Sequence, residues 1–322
     1  MNELLRVEGM SVGFGSAGHK WVPVTDNISF AIGRGEVFAL VGESGCGKSV
    51  TAMGILGLLP KPSARVLAGH AWLGDVDLLD LPSEPLCAIR GRDISVIFQE
   101  PALALNPVCG IQAQLREAVA HLPRLEADVR IASLLRRAGF SDVPRVLSSF
   151  PHELSGGMLQ RVMIVMALLP GPKLLIADEP TTALDVTVQA QVMMVLKGLC
   201  KSEGTGLLLI THNLGLVAQY ADRVGVMYAG RMVECAPVRT LLKSPAHPYT
   251  QGLIDAVPEG HESVRNLRPI PGVVPYPRDF EAGCRFRSRC SKATADCIAF
   301  PPSANLSPLH SVSCFHPSVP LK

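Results

Sequence analysis

Eight consecutive residues, Gly42-Glu43-Ser44-Gly45-Cys46-Gly47-Lys48-Ser49, carry the chemistry of phosphate binding. Glycines let successive backbone N–H groups turn inward around phosphate oxygens, and a helix that follows directly offers the positive end of its dipole. Lys48 can reach β- and γ-phosphates, and the Ser49 hydroxyl can ligate Mg²⁺. A second group lies at Leu174-Leu175-Ile176-Ala177-Asp178-Glu179, an apolar run ending in two carboxylates. Delivered by a strand, Asp178 reaches the metal and Glu179 stands beside it to polarise an attacking water. Such a pair alone is common surface chemistry; downstream of a phosphate loop it points to nucleotide hydrolysis.

A third group is made of cysteines. Five of the nine are scattered through the first 235 residues, whereas Cys284, Cys290, Cys297 and Cys314 are bunched near the end. In a reducing compartment such a cluster reads as a metal site rather than as disulfides. The spacing lacks the tight Cys-x₂-Cys pairs of structural zinc, and four thiolates are the normal ligand set of an iron–sulfur centre. Zinc is the alternative, and reduced, unligated thiols a third. Cys46 stands apart inside the phosphate loop, at a helix start next to Lys48, where a thiol pKa tends to fall. Its alkylation is therefore expected to block ATP hydrolysis, while for its everyday role the favoured reading is a small residue standing in for serine.

The elements that must position these groups follow from periodicity. Glu36–Val41 is an apolar strand, and Ser49–Leu59 is helical. Residues 62–100 alternate apolar and polar positions and read as short strands. From Ile111 to Ala138 the spacing is helical with a break at Pro123, and Gln160–Leu169 is a buried helix. Leu174–Ala177 and Leu207–Thr211 have the continuous apolar character of central parallel strands. Val224–Tyr228 and Met232–Cys235 form a hairpin around Gly230-Arg231. Beyond Pro237 prolines crowd residues 258–277, and the remainder shows little periodicity, so a boundary is placed there.

Bulk properties narrow the class. The 322 residues are 48% apolar and 18% charged with a formal charge of +2, which gives no sign of a nucleic-acid partner. No secretory signal is expected at the start, and the longest apolar stretches fall far short of the roughly 20 residues of a membrane helix. The positive mean hydropathy is that of a buried sheet.

Leu154-Ser155-Gly156-Gly157-Met158 resembles the signature of the ABC ATPases, commonly Leu-Ser-Gly-Gly-Gln, with Met158 departing at the last position. Ser155 is also suited to cap a helix, and a cap and a dipole are what a second phosphate contact needs. Other positions resemble the family in order. Gln99 is similar to its metal-sensing glutamine, Thr181-Thr182-Ala183-Leu184-Asp185 to the loop that crosses its dimer interface, His212 to its switch histidine, and Phe14 to an aromatic that stacks on adenine. Asn213 follows His212 where many relatives carry Asp.

The resemblance covers residues 4–236. It implies an α/β nucleotide-binding domain over residues 1–236, with a phosphate-loop core, a helical signature subdomain at about 100–168 and an antiparallel β part. ATP and Mg²⁺ would be held by Gly42 through Val50, Gln99 and Asp178, with Mg²⁺ on Ser49, Gln99 and Asp178. Lys48, Gln99, Glu179 and His212 would serve the hydrolysis, and the signature would reach the γ-phosphate held by an opposite subunit. Non-transport ABC ATPases are a distant alternative, since the paired cassettes and coiled coils common among them do not occur here.

In the extension, Ser244-Pro245-Ala246-His247-Pro248-Tyr249-Thr250-Gln251, residues 267–275 and Gly283-Cys284-Arg285-Phe286 with Arg289-Cys290 resemble the oligopeptide and dipeptide importer ATPases, a group that includes nickel importers. The implied Pro- and Cys-rich extension spans 237–322, and in that group the four cysteines are associated with a [4Fe–4S] cluster. Implied partners are a second homologous ATPase (a heterodimer, or a homodimer), two membrane permeases and an extracellular substrate-binding protein. The implied location is peripheral, on the cytoplasmic face of the inner membrane. Nickel, metallophore and antimicrobial-peptide cargoes stay open beside di- and oligopeptides.

Overall fold

The computed structural model describes residues 3–16, 20–99, 104–182, 184–257 and 269–319. Its strands are β1 (Glu3–Phe14), β2 (Val22–Gly33), β3 (Val37–Val41), β4 (Ala64–Leu73), β5 (Val76–Asp77), β6 (Ile94–Ile97), β7 (Leu174–Asp178), β8 (Gly206–Thr211), β9 (Arg223–Tyr228), β10 (Arg231–Pro237), β11 (Ser303–Ser307) and β12 (His310–Ser313). The chain divides into two compact units that each draw on several stretches of sequence.

One unit holds Ile32–Val37 and Pro82–Leu209. Here β6 and β7 pair in parallel, Ile94 opposite Leu174 through Ile97 opposite Ala177, with β8 beside β7. Leu174, Leu175, Ile176, Ala177, Leu207 and Leu208 are fully buried, as runs without alternation demand in a strand covered on both faces. Each large side chain removed from water in this way stabilises by about 1.5–3 kcal/mol. Helix Gly156–Leu168 buries Val162, Ile164, Val165 and Leu168 and packs against helix Val186–Glu203. Ser155 caps the first helix and Asp185 the second, and Gly204, at φ 70°, ends the second in the left-handed turn that glycine favours. The helical stretch 111–138 is two helices, Ile111–Glu117 and Arg124–Arg137, with Pro123 as the cap of the second. The expectation of strands alone across 62–100 is corrected by the helix Ser83–Ile89, too short to show a helical period.

The other unit holds Leu5–Ala31, Phe38–Leu81 and Ile210–Lys322. Strands β2, β1, β4 and β5 form an antiparallel sheet, and β3 pairs in parallel with β9. The hairpin β9–β10 turns at Ala229 and Gly230, both at positive φ, one residue before the expected Gly230-Arg231, because Arg231 already pairs with Tyr228. Helix Lys48–Ile55 stops short of Leu59 because Gly57 turns left-handed at φ 61°.

The extension is more ordered than its composition suggests. Helices Val238–Lys243 and Pro248–Asp255 are followed by the hairpin β11–β12, and β12 adds to β10, with Glu234 opposite Val312. The buried Glu234 carboxylate accepts from the amides of Ala246 and His247 and from His310 Nε2, each at 2.8 Å. Three donors compensate its desolvation and tie this part of the chain to β10. Burial lowers His247 to about 3, so its neutral Nδ1 accepts the Tyr249 amide at 3.0 Å.

Candidate functional site

The phosphate loop runs from β3 into helix Lys48–Ile55. Two of its glycines are dictated by space. A Cβ on Gly42 would meet the Met227 carbonyl oxygen, and one on Gly47, at φ 101°, would lie 2.7 Å from Thr25 Cγ2. Lys48 is 6% exposed and turns back on the loop, its ammonium 2.8 Å from Gly42 O and 3.1 Å from Glu43 O. Ser44 and Gly45 are exposed, and Ser49 and Val50 half-buried. Phe14 ends β1 half-buried, in register with Ala64.

Cys46 is fully buried, with Sγ 3.6 Å from Lys48 Nζ. Burial pushes its thiol up against the opposing pull of the ammonium. The expected reactive thiol is thus corrected: the cation is present, but loss of solvent outweighs it. Iodoacetamide should therefore leave Cys46 intact in the folded chain while it labels the exposed Cys87. Peptide mapping would show this, and equal labelling of both would contradict the burial.

In the other unit, Asp178 closes β7 and Glu179 follows at φ 46°, a left-handed conformation unfavourable for a residue with a side chain. The Thr182 hydroxyl donates to Glu179 Oε2 at 3.0 Å and Gln99 Nε2 to the same oxygen at 3.4 Å, so Gln99 and Glu179 meet although 80 residues apart. Ser155 Oγ accepts the Met158 amide at 3.4 Å. A backbone donor makes this cap indifferent to methionine at 158. A Cβ on Gly157 would lie 2.6 Å from Val188 Cγ1, and one on Gly156 would lie 3.5 Å from Leu184 Cδ2. Gly157 thus lets its helix approach the segment that follows Asp185, whose carboxylate caps that segment at Val188 N, whereas the contact at Gly156 is an ordinary one. Ala183 lies outside the described residues.

His212 is exposed at the end of β8. Asn213 accepts the amides of Gly215 and Leu216 and so caps helix Leu214–Tyr220, a service Asp would perform equally.

All four clustered cysteines line one small cavity together with Phe286 and His316. Among the described residues no three of these sulfurs lie within 4.8 Å of one another. Burial pushes the thiols of Cys284 and Cys290 up, and that of Cys314 to about 11. Without a cation they remain neutral thiols; a metal centre would be needed to hold them as thiolates.

Sequence reasoning missed two residues against the phosphate loop. Arg289 pairs with the Glu43 carboxylate, and the Tyr249 hydroxyl accepts the Glu43 amide. Both residues stand out in the sequence only as marks of the extension. More than 200 positions separate them from Glu43, so no local pattern could join them.

Comparison with known proteins adds the lineage. Residues 25–182 match the ABC transporter family, and residues 233–297 match the oligopeptide/dipeptide transporter C-terminal region. The chain is 47% identical to the oligopeptide transport ATP-binding protein AppD of Bacillus subtilis strain 168, over 88% of this chain and 87% of that one. It is 42% identical to the dipeptide transport ATP-binding protein DppD of the same organism, over 98% and 95%. Among solved structures, the cassette MJ0796, a dimer bound to ADP and Pi in a post-hydrolysis state, matches at TM-score 0.62 and 25% identity over 73% of this chain and 99% of that one.

Proposed function

The chain belongs to the ABC transporter family, and from that premise we propose that it is the ATP-hydrolysing subunit that powers import of di- or oligopeptides through separate membrane permeases. The observation that carries the cargo class is the match of residues 233–297 to the C-terminal region of oligopeptide/dipeptide transporters. In this reading the ATPase domain covers 1–236 and the extension 237–322. No helix among the described residues is long and apolar enough to cross a membrane, which fits a peripheral subunit on the cytoplasmic face of the inner membrane.

Each residue then has a task. The loop Gly42–Ser49 offers amides and the Lys48 ammonium to the phosphates, and Phe14 faces the base. Ser49, Gln99 and Asp178 would hold Mg²⁺, which would supply positive charge against the phosphates. Glu179 takes a proton from water as it attacks the γ-phosphorus, ADP departs, and His212 contacts the γ-phosphoryl group. Thr182 and Gln99 support this by fixing one carboxylate oxygen of Glu179. Leu154–Met158 and the 183–185 loop serve the nucleotide of a second subunit, and the dimeric MJ0796 cassette supports pairing. A second homologous ATPase as a heterodimer, two permeases and an extracellular substrate-binding protein complete the assembly.

For the cysteines the favoured ligand is a [4Fe–4S] cluster on Cys284, Cys290, Cys297 and Cys314. What supports this reading is that the four thiols line one cavity and that four thiolates are the normal ligand set of such a centre, with zinc as the alternative. Bound there, such a cluster would hold the four cysteines as thiolates and so staple a loop of low apolar periodicity.

One preparation tests both readings. The tagged chain is solubilised gently and anaerobically from its native membranes. Recovery of two polytopic permeases, a second ATPase and a peptide-binding protein, with brown colour and iron, is the expected outcome. Ribosomes or DNA-repair proteins instead would overturn the transport reading, and a colourless, zinc-containing chain would overturn the cluster.

A further inference from the structure

The phosphate loop is gripped from the extension at a single peptide group. The bond between Gly42 and Glu43 presents its N–H to the Tyr249 hydroxyl at 2.9 Å and its carbonyl to Lys48 Nζ at 2.8 Å. The Glu43 carboxylate is held by both terminal nitrogens of Arg289, at 2.8 and 3.1 Å. Arg289 is itself fixed, since its side chain is 5% exposed and its remaining donors reach the carbonyl of Pro271 at 2.7 Å and that of Gly272 at 3.3 Å. Tyr249 is fully buried, set edge-on to Tyr228 with ring centroids 4.7 Å apart and packed against Phe286.

A second arginine acts one step further away. Arg285 donates to the Ala229 carbonyl and to Asp26, and the adjoining Gly230 amide donates to the Cys46 carbonyl at 2.9 Å. Both arginines sit immediately beside a clustered cysteine, Arg285 after Cys284 and Arg289 before Cys290. The order of the cysteine-bearing loop and the shape of the phosphate loop are therefore linked by part-buried, charge-assisted hydrogen bonds and by one backbone bond.

We propose that helix Pro248–Asp255 and the cysteine-bearing loop together clamp the nucleotide loop, with Tyr249 of the helix and Arg289 of the loop as positioning residues that set the affinity for MgATP. The proposal rests on the nucleotide-binding reading of Gly42–Ser49. A bidentate pair on Glu43 and a bond on its amide hold the first peptide of the loop in one orientation. Phosphate then meets a preformed cradle and loses less entropy in ordering it. With the clamp gone, Lys48 and the amides beyond it must be ordered by the ligand itself, which appears as weaker binding.

The test is titration of the full-length chain with trinitrophenyl-ATP and Mg²⁺, which reads dissociation constant and stoichiometry separately. Loss of the charge-assisted pair predicts that Arg289→Gln weakens binding about tenfold, and loss of one neutral hydrogen bond that Tyr249→Phe, which keeps the ring, weakens it about fivefold. Arg289→Lys, which retains charge but not the fork, should recover to within about threefold of the native chain. Arg289→Gln added to Glu43→Gln should weaken binding no further than Glu43→Gln alone, the signature of one shared interaction.

A merely structural role would lower the fraction of chain that binds and leave the dissociation constant unchanged. That result, or strict additivity, or native affinity in both Arg289→Gln and Tyr249→Phe, overturns the clamp. Failure of the unaltered chain to bind MgATP would overturn the nucleotide reading itself, and the clamp with it.

Discussion

Glu179→Gln is expected to keep MgATP affinity within about twofold and to lower hydrolysis by about 10³-fold, the range in which a general base contributes. The exchange replaces one carboxylate oxygen by an amide nitrogen and leaves shape intact. Gln at 179 still accepts from the Thr182 hydroxyl, which lies 3.0 Å from Oε2 in the native chain, so the side chain keeps its place. What it loses is the ability to take a proton. The left-handed backbone at φ 46° is a property of the loop and is as tolerable for Gln as for Glu. Binding is measured by titration with a fluorescent nucleotide, and hydrolysis by phosphate release from the assembled complex. Turnover within tenfold of native would remove Glu179 from the chemistry; loss of binding would mean that its role is structural.

Lys48→Ala is expected to weaken MgATP binding by about 10²-fold, on the scale of a lost charge-assisted contact of 1.5–3 kcal/mol, and to abolish detectable hydrolysis. Two losses act in the same direction. The ammonium holds the loop through Gly42 O and Glu43 O, and the same group is the one expected to reach phosphate oxygens. Its removal deletes the phosphate contact and leaves two carbonyls short of a donor in a place where Lys48 itself is only 6% exposed. Thermal melting should fall by an amount equivalent to about 1–3 kcal/mol, the cost of unsatisfied buried groups. Lys48→Met, which keeps most of the volume, separates the effects: it should recover part of the melting temperature and none of the affinity. Affinity within threefold of native in both variants would show that Lys48 only closes the loop.

Much of the nucleotide chemistry is legible in sequence because it is written in short, contiguous segments. A phosphate loop needs glycines where a Cβ would strike a neighbour, as at Gly42 and Gly47, and that requirement appears directly as residue identity. The buried strand β7 is legible because burial on both faces leaves an unbroken apolar run. The hairpin β9–β10 is legible from Gly230, although its turn is Ala229-Gly230 and Arg231 already belongs to β10. Helix Ser83–Ile89 escaped because seven residues cannot establish a period. The strand β12 escaped because His310-Ser311-Val312-Ser313 gains its place from pairing with β10, not from any pattern of its own. Cys46 was misjudged because a helix end and a lysine are visible in sequence whereas complete burial is not.

By itself, then, the sequence determined the family, the nucleotide chemistry and the candidate roles of Lys48, Asp178 and Glu179. These depend on residue type at fixed short spacing, which covalent connectivity preserves. Only the tertiary structure decided that Gln99 and Thr182 orient Glu179, that the four cysteines share one cavity, and that Arg289 and Tyr249 grip Glu43. Those contacts join residues up to 246 positions apart, and such pairings are selected by the packing of whole elements rather than by any local preference of the chain.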